Sequence, residues 1–100
     1  MYEIGFNANQ IRLSFAPSLS IVVEGVMKMR VGQLEEISIS PESPRLELLR
    51  LIESTVESVY LDPSRSEMEL RFNGNANLTL LADDNYESYT IVTEEKSYVV

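Results

Sequence analysis

Over most of the chain, apolar residues alternate with polar ones at a period of two, the pattern of a half-buried strand. Residues 10–15 carry Ile11, Leu13 and Phe15 with Arg12 and Ser14 between them. Residues 19–23 place Leu19, Ile21 and Val23 in the same way, and residues 24–31 offer Val26, Met27, Met29 and Val31. Ile37 and Ile39 follow among serines and glutamates. The second half repeats the habit with Val56, Val59 and Leu61, then Met68, Leu70 and Phe72, then Ala76, Leu78 and Leu80. Tyr86, Tyr89, Ile91 and Tyr98-Val99-Val100 close the pattern. About eight short strands of about five residues each are expected.

Residues 43–54 break the alternation. Leu48, Leu49, Leu51, Ile52 and Val56 fall at helical spacing, with Glu47 and Arg50 on another side. Ser43 fits an N-cap and Pro44 the first helical position, where a missing N–H costs nothing. Pro41 and Pro44 also separate this segment from the strand before it. The pattern predicts one helix of about three turns near 44–53.

An internal repeat orders these elements. A shift of 57 residues lays Ile11, Leu13 and Phe15 on Met68, Leu70 and Phe72, and Leu19, Ile21 and Val23 on Ala76, Leu78 and Leu80. Both copies read as hairpins with three-residue connections, Ala16-Pro17-Ser18 and Asn73-Gly74-Asn75. That loop length sets Phe15 opposite Leu19 and Phe72 opposite Ala76, keeping each apolar set on one face. The expected fold class is α+β: mostly antiparallel β in two pseudo-repeated meanders. The chain reads as one domain, 1–100, with halves of about 1–40 and 55–100 joined by the helix.

The composition suits a folded domain, with 44% hydrophobic and 24% charged residues. There is no Cys, His or Trp. That removes disulfides, thiolate chemistry, imidazole metal ligands and the Ser-His-Asp arrangement. No uninterrupted apolar run exceeds three residues, against the roughly 18–20 of a membrane helix. With no leader-like N-terminus either, a cytoplasmic, bacterial or phage-like setting is expected.

The remaining chemistries fare poorly. Asp83-Asp84-Asn85-Tyr86-Glu87 is the densest acidic segment. Its carboxylates could serve acid–base work or an oxygen-ligated cation, but the spacing fits no EF-hand and suits a solvated turn. Glu35-Glu36, Glu67 with Glu69, and Glu94-Glu95 read as wet strand faces and loop ends. Asn73-Gly74-Asn75 lacks the Lys and following helix of a phosphate loop. The serines have only Lys28 and Lys96 as lysine partners for activation. Neither an enzyme nor a bound cofactor or metal is expected.

Charge is the positive signal. Eight basic and sixteen acidic residues give a net charge of −8. Residues 1–50 carry five basic and six acidic residues, a net of −1, and residues 51–100 carry three and ten, a net of −7. Direct nucleic-acid binding is disfavoured, because phosphate contacts need clustered Lys and Arg. An acidic face attracts basic proteins instead. The second half also carries Tyr60, Tyr86, Tyr89 and Tyr98, and tyrosine is enriched at interfaces. The candidate partner-binding patch is Asp83, Asp84, Tyr86, Glu87, Tyr89, Glu94 and Glu95.

The order of features resembles a small bacterial family of unknown function. Its members share a V-x-L-x-F…L-x-I hairpin, a Pro-flanked helix, a V-x-x-V strand, a second such hairpin and a Y-E-[SA]-W segment. The counterparts here are residues 11–23, 43–52, 54–59 and 68–80, and Tyr86-Glu87-Ser88-Tyr89. Tyr89 stands where the family has Trp, and Pro17-Ser18 where a Gly is common. These motifs are packing and turn residues, so the resemblance implies no activity. Similar small acidic domains occur among immunity proteins of bacterial toxin systems. The expected function is a non-enzymatic, immunity-type inhibitor that covers a basic partner such as a toxin. The alternatives are a phage-type anti-defence (anti-CRISPR-like) inhibitor occluding a nucleic-acid-binding site, and a homo-oligomer, such as a homodimer pairing through an edge strand.

Overall fold

The structure is a computed structural model. It describes residues 1, 3–7, 9–16, 19–52, 54–62, 67–81, 89–93 and 97–99. Among them are ten strands and one 3-10 helix. The strands are β1 (Glu3–Phe6), β2 (Ile11–Ala16), β3 (Leu19–Val23), β4 (Met27–Val31), β5 (Ile37–Ile39), β6 (Val56–Asp62), β7 (Glu67–Phe72), β8 (Ala76–Leu80), β9 (Tyr89–Thr93) and β10 (Ser97–Val99). The antiparallel β expectation therefore holds, with ten strands instead of about eight. One strand that the alternation did not mark, β1, pairs Ile4 with Leu13 and Phe6 with Ile11. Four residues around Gly5 carry too little alternation to announce it.

The strands form two antiparallel five-stranded sheets, ordered β1-β2-β3-β9-β10 and β5-β4-β8-β7-β6. One hydrophobic cluster takes Ile11, Leu13, Ile21, Val23 and Tyr89 from the first sheet. From the second it takes Met27, Met29, Ile39, Met68, Leu70, Phe72, Leu78 and Leu80. The chain is a β-sandwich.

Each half was expected to close its own meander, and the sheets correct this. Each half gives three strands to one sheet and two to the other. β4 leaves β3 and pairs with β8, while β9 pairs with β3. Replacing β1–β5 by β6–β10, and the reverse, turns one strand order into the other. The registers obey the same pseudo-two-fold. Val23 faces Tyr89 and Ile21 faces Ile91; in the other sheet Leu80 faces Met27 and Leu78 faces Met29. The exchange has a physical logic. Where separate meanders would pair β3 with β4 and β8 with β9, the exchange keeps both central strands paired on each edge and builds every sheet from both halves. It also unites both halves in one core.

The hairpins confirm the repeat except at one point. The second pairs Met68 with Leu80, Leu70 with Leu78 and Phe72 with Ala76, as its loop length requires. Gly74 (φ 79°) and Asn75 (φ 64°) turn the chain in the left-handed region, which these two residue types tolerate best. In the first, Ile11 and Leu13 face Val23 and Ile21 as expected, but the register shifts between Ser14 and Ala16. Ala16, not Phe15, then lies opposite Leu19, because a bulge takes Phe15 out of the ladder.

The helical segment is shorter and tighter than expected. It is a 3-10 helix over Leu46–Leu51 with Arg45 at its N-cap and no side-chain cap. Ser43 is drawn elsewhere. Its N–H donates to the Ser40 carbonyl and its own carbonyl accepts from the Ser40 N–H, closing a turn around Pro41. Pro44 then follows that turn instead of opening an α-helix. The α component thus reduces to six residues. Leu48 and Leu51 are 0% and 1% exposed, whereas Leu46 and Leu49 are 78% and 41% exposed.

Candidate functional site

Of the seven residues of the expected patch, only Tyr89 lies among the described ones; Asp83, Asp84, Tyr86, Glu87, Glu94 and Glu95 lie outside them. Tyr89 is a correction. It sits in β9 opposite Val23 with 3% of its surface exposed, inside the core cluster. Burial, with a smaller contribution from the nearby Glu67 carboxylate, pushes its phenol above the usual tyrosine range. It anchors the fold and presents nothing to a partner. Alternation marked it as one face of a strand but could not say which face the core would take.

The described cations are largely neutralised within the chain. Lys28 and Arg30 share Glu36, each at 3.7 Å, and Arg45 meets Glu47 at 2.6 Å. The Glu47 carboxyl is held below its ordinary range, first by a backbone hydrogen bond and then by Arg45. Arg71 donates to Glu69 at 2.5 Å and stacks 4.1 Å over the Tyr60 ring. The Glu69 hydrogen bond raises the already high Arg71 pKa. These pairs sit on the surface, where each is worth little, and they leave the net charge unchanged because they engage cation and carboxylate together.

Sequence reasoning gave no sign of an apolar cleft between the sheets. Phe15, Leu19 and Ile21 from the β2–β3 hairpin and Ile91 from β9 line one wall. Val56 and Val59 from β6, with Met68 and Leu70 from β7, line the other. Its volume is about 250 Å³ and every lining side chain is apolar. Such a site has no donor, acceptor or titratable group to act on a bound molecule. It can only shelter apolar surface. Of its lining, Leu19 and Val59 are 38% and 52% exposed. The alternation had marked these positions as apolar, but nothing in it told that they would stay open.

The pseudo-two-fold explains the opening. Applied to Phe15, Leu19, Ile21 and Ile91, it gives Phe72, Ala76, Leu78 and Met29, which are 2%, 5%, 0% and 0% exposed. That equivalent mouth is closed. The 3-10 helix ends beside it: the Leu51 carbonyl accepts from Ser54, the Ser54 carbonyl accepts from the Met1 amine, and Thr55 exchanges hydrogen bonds with Asn73 of the β7–β8 turn. Leu48 and Leu51 belong to the same core cluster. One of two equivalent openings is closed, and the other is not.

A polar depression of about 260 Å³ on β6–β8 is lined by Glu57, Ser58, Arg71, Phe72, Asn75 and Asn77. Its one cation, Arg71, is already committed to Glu69 and Tyr60. Among the described residues no group of three or more acidic side chains converges as a metal site. Among them, too, no helix is long and apolar enough to cross a membrane. Comparison with known protein families, with characterised proteins and with solved structures finds no match.

Proposed function

We propose that the chain is a non-enzymatic protein-binding domain whose acidic half covers a basic partner, in the manner of an immunity-type inhibitor. The observation that carries this reading is the uneven charge, −7 over residues 51–100 against −1 over residues 1–50. The placement of cations agrees with it, because Arg71, the one described cation of residues 51–100, lies beside Glu69 and forms no positive patch of its own. So does the apolar cleft, half of whose wall comes from β6 and β7 of the same acidic half. Charge steers the encounter and buried apolar surface holds the complex. The contact patch assigned to this role is Asp83, Asp84, Tyr86, Glu87, Glu94 and Glu95, and the resemblance to immunity-type domains favours a toxin as the basic partner.

The test is capture from host lysate with immobilised wild-type chain and with the triple variant Asp83→Lys/Asp84→Lys/Glu87→Lys. The wild type should retain a basic protein that elutes at about 1 M salt, where the Debye length falls to about 3 Å. The triple variant should not retain it. Equal retention by the variant would remove the patch assignment, and failure of the wild type to retain any basic protein would remove the binding reading.

A further inference from the structure

β6 is the longest of the described strands, and it lies at a sheet edge. Among the described residues it pairs with β7 alone. The other edge strands, β1, β5 and β10, have four, three and three residues against its seven. Natural sheets blunt an edge by keeping it short or by seating Lys or Pro on it, and β6 does neither. Its ladder is irregular only between Val56 and Ser58, which leaves Ser58–Asp62 regular. Val59, Tyr60 and Leu61 are 52%, 51% and 69% exposed. Consecutive strand residues point to opposite sides, so this edge is open on both.

The two sides differ. Val59 and Leu61 stand opposite Leu70 and Met68, which are buried, and therefore lie on the core side of the sheet, where Val59 lines the cleft. Tyr60 and Glu69 share the other side. β6 and β7 together carry Glu57, Asp62, Glu67 and Glu69 against Arg71, a net of −3. Pairing with a second β6 would set two such strand pairs against each other, so charge selects a basic occupant. We propose that β6 accepts, as an added strand of its sheet, an extended segment of the partner in which apolar residues alternate with Lys or Arg. Main-chain hydrogen bonds hold such a strand, and its alternating side chains match the two sides. Its apolar residues continue the core side past Val59 and Leu61 and cover the open cleft, while its cations fall on the side of Tyr60 and Glu69. This inference rests on the basic-partner reading and adds the form of the segment that binds.

The probes are two capped heptapeptides of one composition, the alternating Lys-Val-Lys-Val-Lys-Val-Lys and the blocked Lys-Lys-Val-Val-Val-Lys-Lys. Each is titrated calorimetrically into the full chain at about 0.15 M salt. The alternating peptide should bind with a dissociation constant of about 0.1–1 mM, and the blocked one about tenfold more weakly. Val59→Ser/Leu61→Ser keeps the net charge and should weaken the alternating peptide about tenfold, with circular dichroism checking the fold. Hydrogen exchange of the wild type locates the contact whatever that variant does. Alternate amides of Ser58–Asp62 should slow when the alternating peptide is added. Equal affinity for the two peptides would reduce the contact to charge attraction and overturn strand addition. So would slowing confined to residues outside β6, or no binding at about 2 mM peptide. Slow exchange of those amides without peptide, deepening with protein concentration, would give the edge to a second copy and overturn the proposal as well. The basic-partner reading falls on a different result, the failure of the wild type to retain any basic protein from lysate.

Discussion

Replacing Leu48 by alanine separates a core plug from a surface helix. Leu48 is fully buried, and Leu46, two residues earlier on the same turn, is 78% exposed. Truncating a buried leucine removes its transfer free energy and leaves a cavity, for a total of about 2–5 kcal/mol. Against a domain stability of about 5–15 kcal/mol this is a large fraction. With a urea slope of about 1.5 kcal/mol/M, a loss of about 3 kcal/mol moves the unfolding midpoint down by about 2 M. The same loss lowers Tm by roughly 12–24 °C for a chain of this size. Leu46→Ala should stay within about 0.5 kcal/mol of wild type. Urea titrations followed by far-ultraviolet circular dichroism measure both. If the two variants fall together, or if Leu48→Ala loses less than about 1 kcal/mol, the helix does not pack its Leu48 face into the core and the contrast between its buried and exposed faces fails.

Gly74→Ala should cost about 1–2 kcal/mol from its left-handed backbone alone, since nothing lies within 4 Å of a Cβ built there. The same urea titration checks it. Tyr89 shapes the alkaline limb of stability. Its folded pKa is raised, so its neutral form supports the fold fully below the ordinary value of 10.0, and that support is lost as pH rises through the higher folded value. Phenolate absorbance should therefore show a late step coincident with unfolding, and Tyr89→Phe should remove that step and extend the stable range to higher pH. Glu36→Gln, which breaks two exposed ion pairs, should change stability by no more than about 1 kcal/mol. The difference should vanish in high-salt denaturation.

Local pattern carried the strands, and long-range pairing decided what local pattern leaves open. The spans Leu19–Val23 and Ala76–Leu80 were legible to the residue, and so was the Phe72–Ala76 register, because a three-residue loop fixes parity. The bulge at Phe15 was not, since a ladder irregularity changes no residue's polarity. The exchange of β4 and β9 was equally hidden. Met27 and Met29 present the same apolar face whether they pair with β3, a few residues away, or with β8, some 50 residues away. Ser43 misled because a serine that suits a helix cap also suits the turn it makes with Ser40. For the site, charge could be assigned to a half of the chain, but the cleft joins side chains of β2, β3, β9, β6 and β7, whose meeting depends on sheet packing and not on local pattern. Tyr89 was read as interface because burial of a tyrosine is a tertiary fact.

The exchange of strands between halves underlies both the cleft and its closed equivalent, and cysteine pairs test it directly in a chain that has no cysteine of its own. In the exchanged sandwich Arg30 faces Asn77 across β4 and β8, at the about 4.5–5.5 Å Cα separation that a disulfide accepts. In two independent meanders, the three-residue link after Val23 would instead set residue 30 opposite Ser20. Mass spectrometry of the oxidised variants should find the intramolecular bridge in Arg30→Cys/Asn77→Cys and free thiols in Ser20→Cys/Arg30→Cys. A bridge that closes in the second pair and not in the first would contradict the exchanged fold.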